Sequence, residues 1–443
     1  MLLSLPIELQ KLILSYLTRK EYKATVPCKS LLFCNSYLPL EDFCKLKVIP
    51  LVNLSEQEKK EIFITSYKTN NSWLVKWFLK QEHSEDSDFY NDVLSYVSEN
   101  GHKEIVELLL KDRREFGSKD PNDKTLKSLV DPSADGNVAI IKALVNNHRE
   151  VIKTLLTDPR VDPSVVDNGA IKISSNRGHT EIVEILLKDP RVDPSAEDNY
   201  AIIQASAYGR KEVVEMLLRD PSSPEAERRI ALNPNSRVDP SADNNIAIRY
   251  ASECGHKEVV ELLLKDPRVD PSANDNYAIR LASEYGHKEV VEMLLKDLRI
   301  DPSANDNEAI RLAARKGHKE VVEILLKDLR IDPSANDNEA ICCAAYYGHK
   351  EIVEILLKDS RDWAKAQSTV GLSQPRVDPS ADDNYAIRKA SEYGHKEVVE
   401  ILLKDPRVDS SADDNYALIL ASENGHEEIV ELLKKDQVRL RLA

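Results

Sequence analysis

The chain has 443 residues, a formal net charge of −15 and 31% charged residues. That acidity excludes general nucleic-acid binding, and no apolar run approaches the roughly 20 residues needed to cross a bilayer. A length that would ordinarily make about three domains is overridden by an internal period of 31 residues, because a repeat array grows by addition. The first residues are apolar, but Glu8, Gln10 and Lys11 interrupt them, unlike a signal peptide. Of six cysteines, Cys28, Cys34 and Cys44 fit no common zinc spacing, and Cys342-Cys343 falls inside a repeat helix. Reduced, buried thiols in an intracellular, cytoplasmic protein are the expectation.

Residues 1–48 stand outside the repeat. Leu5 to Leu17 reads as an amphipathic helix with Pro6 near its first turn, where a missing N–H costs little. Leu9, Ile13 and Leu17 share one face, and a Cys28-Lys29-Ser30 step follows. Leu-Pro, Glu-Leu, Ile-Leu-Ser-Tyr-Leu and Cys-Lys-Ser in that order resemble an F-box, the helical module that docks on the Skp-type adaptor of cullin-based ubiquitin ligases. The resemblance implies that Leu5, Pro6, Leu9, Ile13 and Leu17 meet such an adaptor. Read from the residues alone, the same helix is a cap that shields the end of the array.

The repeat frame starts in degenerate form at Glu61, where Trp73, Trp77 and Phe78 are expected to pack on the N-terminal module. Asn70, Gly101, Asn147, Gly178, Gly209, Gly255, Gly286, Gly317, Gly348, Gly394 and Gly425 mark eleven units. The intervals are 31 residues except for three of 46, ending at Asn147, Gly255 and Gly394. The extra segments, about 113–127, 221–236 and 360–375, are rich in Ser, Pro, Asn and charge and read as surface loops.

Within a unit, Ala278, Ile279, Leu281 and Ala282 define one face of a first helix, with Asp275-Asn276 as its N-cap. Gly286 ends it in a left-handed conformation. A second helix, about residues 288–296, turns Val290, Val291, Leu294 and Leu295 inward and sets Glu292 beside Lys296. Ile300-Asp301-Pro302-Ser303 then runs extended. Leu281-Ala282, Gly286-His287, Val290-Val291 and Leu294-Leu295 together resemble the ankyrin repeat. The resemblance implies an all-α solenoid of about eleven units over residues 55–443, with a protein partner held on the concave face that the first helices line.

Candidate chemistry is sparse. Nine of ten histidines occupy the Gly-His step, a row too widely spaced to share one zinc ion. The Asp-Pro-Ser-Ala fingers lack the glycine and bidentate glutamate of a calcium loop. No phosphate loop, nucleophile elbow or metalloprotease motif occurs, so neither an enzyme, a metal nor a cofactor is expected. The residues that vary most between units are the two before the glycine step. Among them Tyr208, Tyr285, Arg315, Lys316, Tyr346, Tyr347 and Tyr393 are the candidate partner contacts, tyrosine and arginine being frequent interface anchors. Drift at exposed positions is the competing explanation. For the row Arg249, Arg280, Arg311 and Arg388, hydrogen bonding between units is favoured over ligand contact. The combined expectation is a receptor that recruits substrates to a ubiquitin ligase. A scaffold or decoy independent of any ligase is the alternative. Such pairings resemble proteins of large DNA viruses, which act in the host cytoplasm.

Overall fold

The computed structural model describes residues 56–80, 87–115, 126–219, 224–232, 236–359 and 377–442. Within them lie eleven helix pairs, from Glu56–Lys68 with Ser72–Leu79 to Ala412–Glu423 with Glu427–Leu442. The fold is all-α in its repeats, as expected. The described residues divide into two compact units, those up to Ser174 with Glu181–Val192 and those of Ser175–Thr180 with Asp193 onward. The F-box-like stretch, with Leu5, Pro6, Leu9, Ile13 and Leu17, lies outside the described residues.

The repeat that contains Gly286 shows how sequence becomes structure. Its finger is an Asx turn, in which Asp270 Oδ1 accepts from the Ser272 N–H at 2.9 Å and from its hydroxyl at 2.6 Å. Next comes a departure from expectation. Asn274, Asp275 and Asn276 all take left-handed φ values of 56–58° before the right-handed helix resumes. Asparagine and aspartate tolerate that region better than other residues with a side chain. The same three-residue turn opens nine first helices among the described residues. Asp275-Asn276 is therefore not an N-cap. The buried Asn276 instead offers Oδ1 to the backbone N–H of Asp301 in the next unit, at 2.8 Å.

The first helix, Ala273–Glu284, buries Ala278, Ile279 and Ala282 completely, and its small alanines let neighbouring first helices come close. The second, Lys288–Leu294, buries Val290, Val291 and Leu294. Each such aliphatic side chain contributes about 1.5–3 kcal/mol when taken fully from water. This helix stops short of Lys296, and the expected Glu292–Lys296 pair does not form. Its equivalents do form, at Glu261–Lys265 (2.8 Å) and Glu354–Lys358 (3.2 Å).

Three further bonds tie unit to unit. His287 Nε2 donates to the Glu253 carbonyl at 2.7 Å, and the rings of His256, His318, His349, His395 and His426 do the same one unit back. Arg210 stands in the histidine place and donates from Nε to the Asn176 carbonyl at 3.0 Å. Arg299 donates to the Val269 carbonyl at 2.7 Å while its fork grips Asp297. Arg280 pairs with Glu308, Arg311 with Glu339, and Arg388 with Asp413 at 3.0 Å. Three of the four row arginines thus bond across units, as favoured from the sequence, whereas Arg249 donates to the Asn244 carbonyl of its own unit at 3.2 Å. In the final pair, Gln437 Nε2 donates to Asn415 Oδ1 at 2.8 Å, supplying the donor that the following unit supplies elsewhere.

Two of the three inserted segments are more ordered than loops. The first carries an antiparallel pair of short strands, Arg113–Glu115 with Leu126–Ser128. The second carries the helix Pro224–Leu232, which has proline at its first position. The third lies outside the described residues. Phe78 stacks on Phe63 at 4.2 Å, within a cluster that includes Tyr67, Phe89 and Tyr90. Its expected neighbour, the N-terminal module, is outside the described residues.

Candidate protein-binding face

The left-handed glycine ends each first helix, so the two residues before it sit at the helix terminus in every unit. Asn70 and Asn147 take the same conformation, with φ of 55° and 60°. The position directly before the glycine step holds exposed aromatic rings: Tyr208, Tyr285, Tyr347 and Tyr393 keep 47–53% of their surface in solvent. Cys254 occupies the same position and is also exposed, against the expectation of buried thiols. Tyr285, Tyr347 and Tyr393 each stack, at 6.2–6.5 Å, on the histidine two residues on. The inter-unit bond of that histidine holds the ring's support in place.

Three of the candidate residues meet. Tyr346 lies 4.7 Å from Tyr347 and 4.6 Å from Tyr393, ring centre to ring centre, and donates its hydroxyl to that of Tyr393 at 3.1 Å. Arg315 joins Tyr346 and Tyr347 around a groove of about 890 Å³. Lys316 is drawn aside, 3.5 Å from Glu284 of the preceding unit. Tyr285 and Tyr208 share the register position of Tyr347 without joining this cluster; Tyr208 has the Arg210 guanidinium 6.0 Å from its ring centre.

The sequence reading missed several groove residues. Cys342, Cys343, Glu339, Asp382 and Tyr385 all line it. Burial pushes the Cys342 thiol up to about 12 and the Cys343 thiol up to about 11, so both stay protonated at neutral pH. Glu339, although burial opposes ionisation, is held below the ordinary carboxylate value by Asn336 and Arg311. Among the described residues, no group of three His, Cys, Asp or Glu is placed to hold a metal ion. The signal that could have located the groove was the break in the arginine row, where Cys342 stands in place of arginine.

A family model described as ankyrin repeats (3 copies) matches residues 62–167, 229–306, 281–367 and 366–441, well over half of the chain. The chain belongs to the ankyrin-repeat family. No curated protein matches it. Ankyrin repeats form protein-interaction modules, and no catalytic family is matched. The histidines of this ankyrin array serve the stack, and the tyrosines beside them are what it presents outward. No helix among the described residues is long and apolar enough to cross a membrane.

Proposed function

We propose that this ankyrin array is the substrate-recruiting part of a ubiquitin-ligase receptor, binding its target through the aromatic ends of the first helices. The observation that carries the binding face is the row of half-exposed tyrosines, of which Tyr285, Tyr347 and Tyr393 each lie beside a histidine that is itself bonded to the preceding unit. Tyrosine gives large contact area at low entropic cost, and rings held in advance lose little more on binding. The connection to a Skp-type adaptor and cullin rests on the F-box-like order of Leu5, Pro6, Leu9, Ile13 and Leu17. Such a receptor works in the cytoplasm, a host's in the viral setting that the resemblance suggests.

Ile13→Asp tests the connection. It should abolish co-purification of adaptor and cullin while the repeats keep their melting temperature. An intact chain that retains no adaptor would leave an ankyrin scaffold or decoy with a capping N-terminus.

A further inference from the structure

Six residues before the glycine step, the units of Gly255, Gly286, Gly317 and Gly394 carry Arg249, Arg280, Arg311 and Arg388, and the unit of Gly348 between them carries Cys342. Outside this run the position holds Lys172, Ile203 and Ile419. Arg388 shows what the row does. Its Nη1 donates to Asp413 at 3.0 Å, its Nη2 to the Asp382 carbonyl at 2.9 Å, and it lies 5.8 and 5.9 Å from the ring centres of Tyr385 and Tyr416. Arg280 likewise donates to the Asn274 carbonyl at 3.2 Å and lies 4.8 Å from the Tyr277 ring centre. Arg249, one unit back, reaches that same ring at 5.5 Å. Tyr277 is thus met by two guanidinium groups, one from its own unit and one from the unit before.

At Cys342 the acceptors are present and the cation is not. By register, Asp413 corresponds to Asp382, Tyr416 to Tyr385, and the Asp382 carbonyl to that of Asn336. All three residues line the same groove as Cys342. Tyr385 has Arg388 and Lys389 of its own unit near its ring, yet the guanidinium due from the preceding unit is replaced by a thiol. The Asp382 carboxylate makes no hydrogen bond or ion pair among the described residues, whereas its equivalent Asp413 is paired. The lining holds Asp337, Glu339 and Asp382 against Arg315. Arg311 offsets Glu339, and Arg388 and Lys389 beside Tyr385 are themselves paired with Asp413 and Glu392, which leaves one negative charge in excess.

We infer that this groove is a slot for an arginine side chain of the bound protein, which completes the interrupted row. A guanidinium suits it better than an ammonium, because its planar fork can span a carboxylate and a carbonyl while its face lies on a tyrosine. Tyr346 and Tyr347 border the slot, so the inference deepens the reading of the first-helix ends as the binding face and rests on it.

The test titrates the full chain by calorimetry with the blocked peptide Gly-Gly-Arg-Gly-Gly and its lysine and citrulline counterparts. The arginine peptide should bind at least about fivefold more tightly than either. Asp382→Asn, an exposed change, should weaken it at least about threefold without altering the melting temperature. Cys342→Arg should fill the slot from within, raise the melting temperature and abolish peptide binding. If that variant does not fold, Asp382→Asn decides alone. Equal binding of the three peptides, or arginine binding undiminished by these variants, overturns the slot. Should Tyr346→Ala/Tyr347→Ala release a protein partner while the peptides show no arginine preference, the slot fails and the binding face stands. Arginine preference with no effect of the tyrosine pair has the opposite meaning.

Discussion

At Gly286 two constraints meet. Its φ of 78° is one that a side chain resists, and a Cβ there would come within 2.5 Å of His318 Nδ1 in the next unit. Gly425 has φ of 75° but nothing within 4 Å of the same point. Gly425→Ala should cost only the left-handed penalty of about 1–2 kcal/mol. Gly286→Ala should cost that and the displacement of His318 besides. Urea midpoints of the two variants compare them directly, and equal losses would contradict the close approach. The conformational demand was legible in the sequence, because glycine before a polar residue after an apolar run marks a helix end. The steric demand was not, because it comes from a residue 32 positions away.

The finger is the element that joins units, and its aspartates give it a pH dependence. The Arg268 guanidinium beside Asp266 holds that carboxyl below its usual value, and Arg299 does the same for Asp297. A carboxyl whose folded value is depressed contributes stability above its unfolded value, near 3.8, and loses it as pH falls through the folded value. The array should therefore unfold on acidification below about pH 4. Arg268→Gln should destabilise it by about 1 kcal/mol at neutral pH, a figure kept small for a pair near the surface. The variant should also lose less stability than the parent between about pH 5 and pH 2. An unchanged acid limb in the denaturation profile would show that this clamp carries no such term. The helices of this element were plain in the sequence because Val290, Val291 and Leu294 follow the helical period. Asn276 was misread, because Asx before an apolar run is the ordinary sign of an N-cap and the left-handed turn that redirects it depends on the neighbouring finger. The segments at 113–127 and 221–236 were read as loops from composition, which does not register a three-residue strand pair or a nine-residue helix.

At the scale of the whole molecule, repetition separates structure from function. Residues common to the units bond one to the next: histidine to carbonyl, asparagine to finger, finger arginine to carbonyl. What varies, the tyrosines and Arg315, gathers at the ends of the first helices, around the groove where Cys342 interrupts the arginine row. The candidate tyrosines were found in the sequence by that contrast, but the groove was not, since its lining comes from first helices on either side of a 46-residue interval. The net charge of −15 favours approach of a basic partner segment, in keeping with an arginine slot.

The most direct measurement is quantitative affinity purification of the intact chain beside Tyr346→Ala/Tyr347→Ala, followed by titration of the recovered protein against both. The account predicts a partner lost from the variant and a binding free energy weaker by at least about 2 kcal/mol. The stability of the variant should meanwhile change by about 1 kcal/mol or less. The same partners bound with the same affinity by an equally stable variant would contradict the assignment of this face.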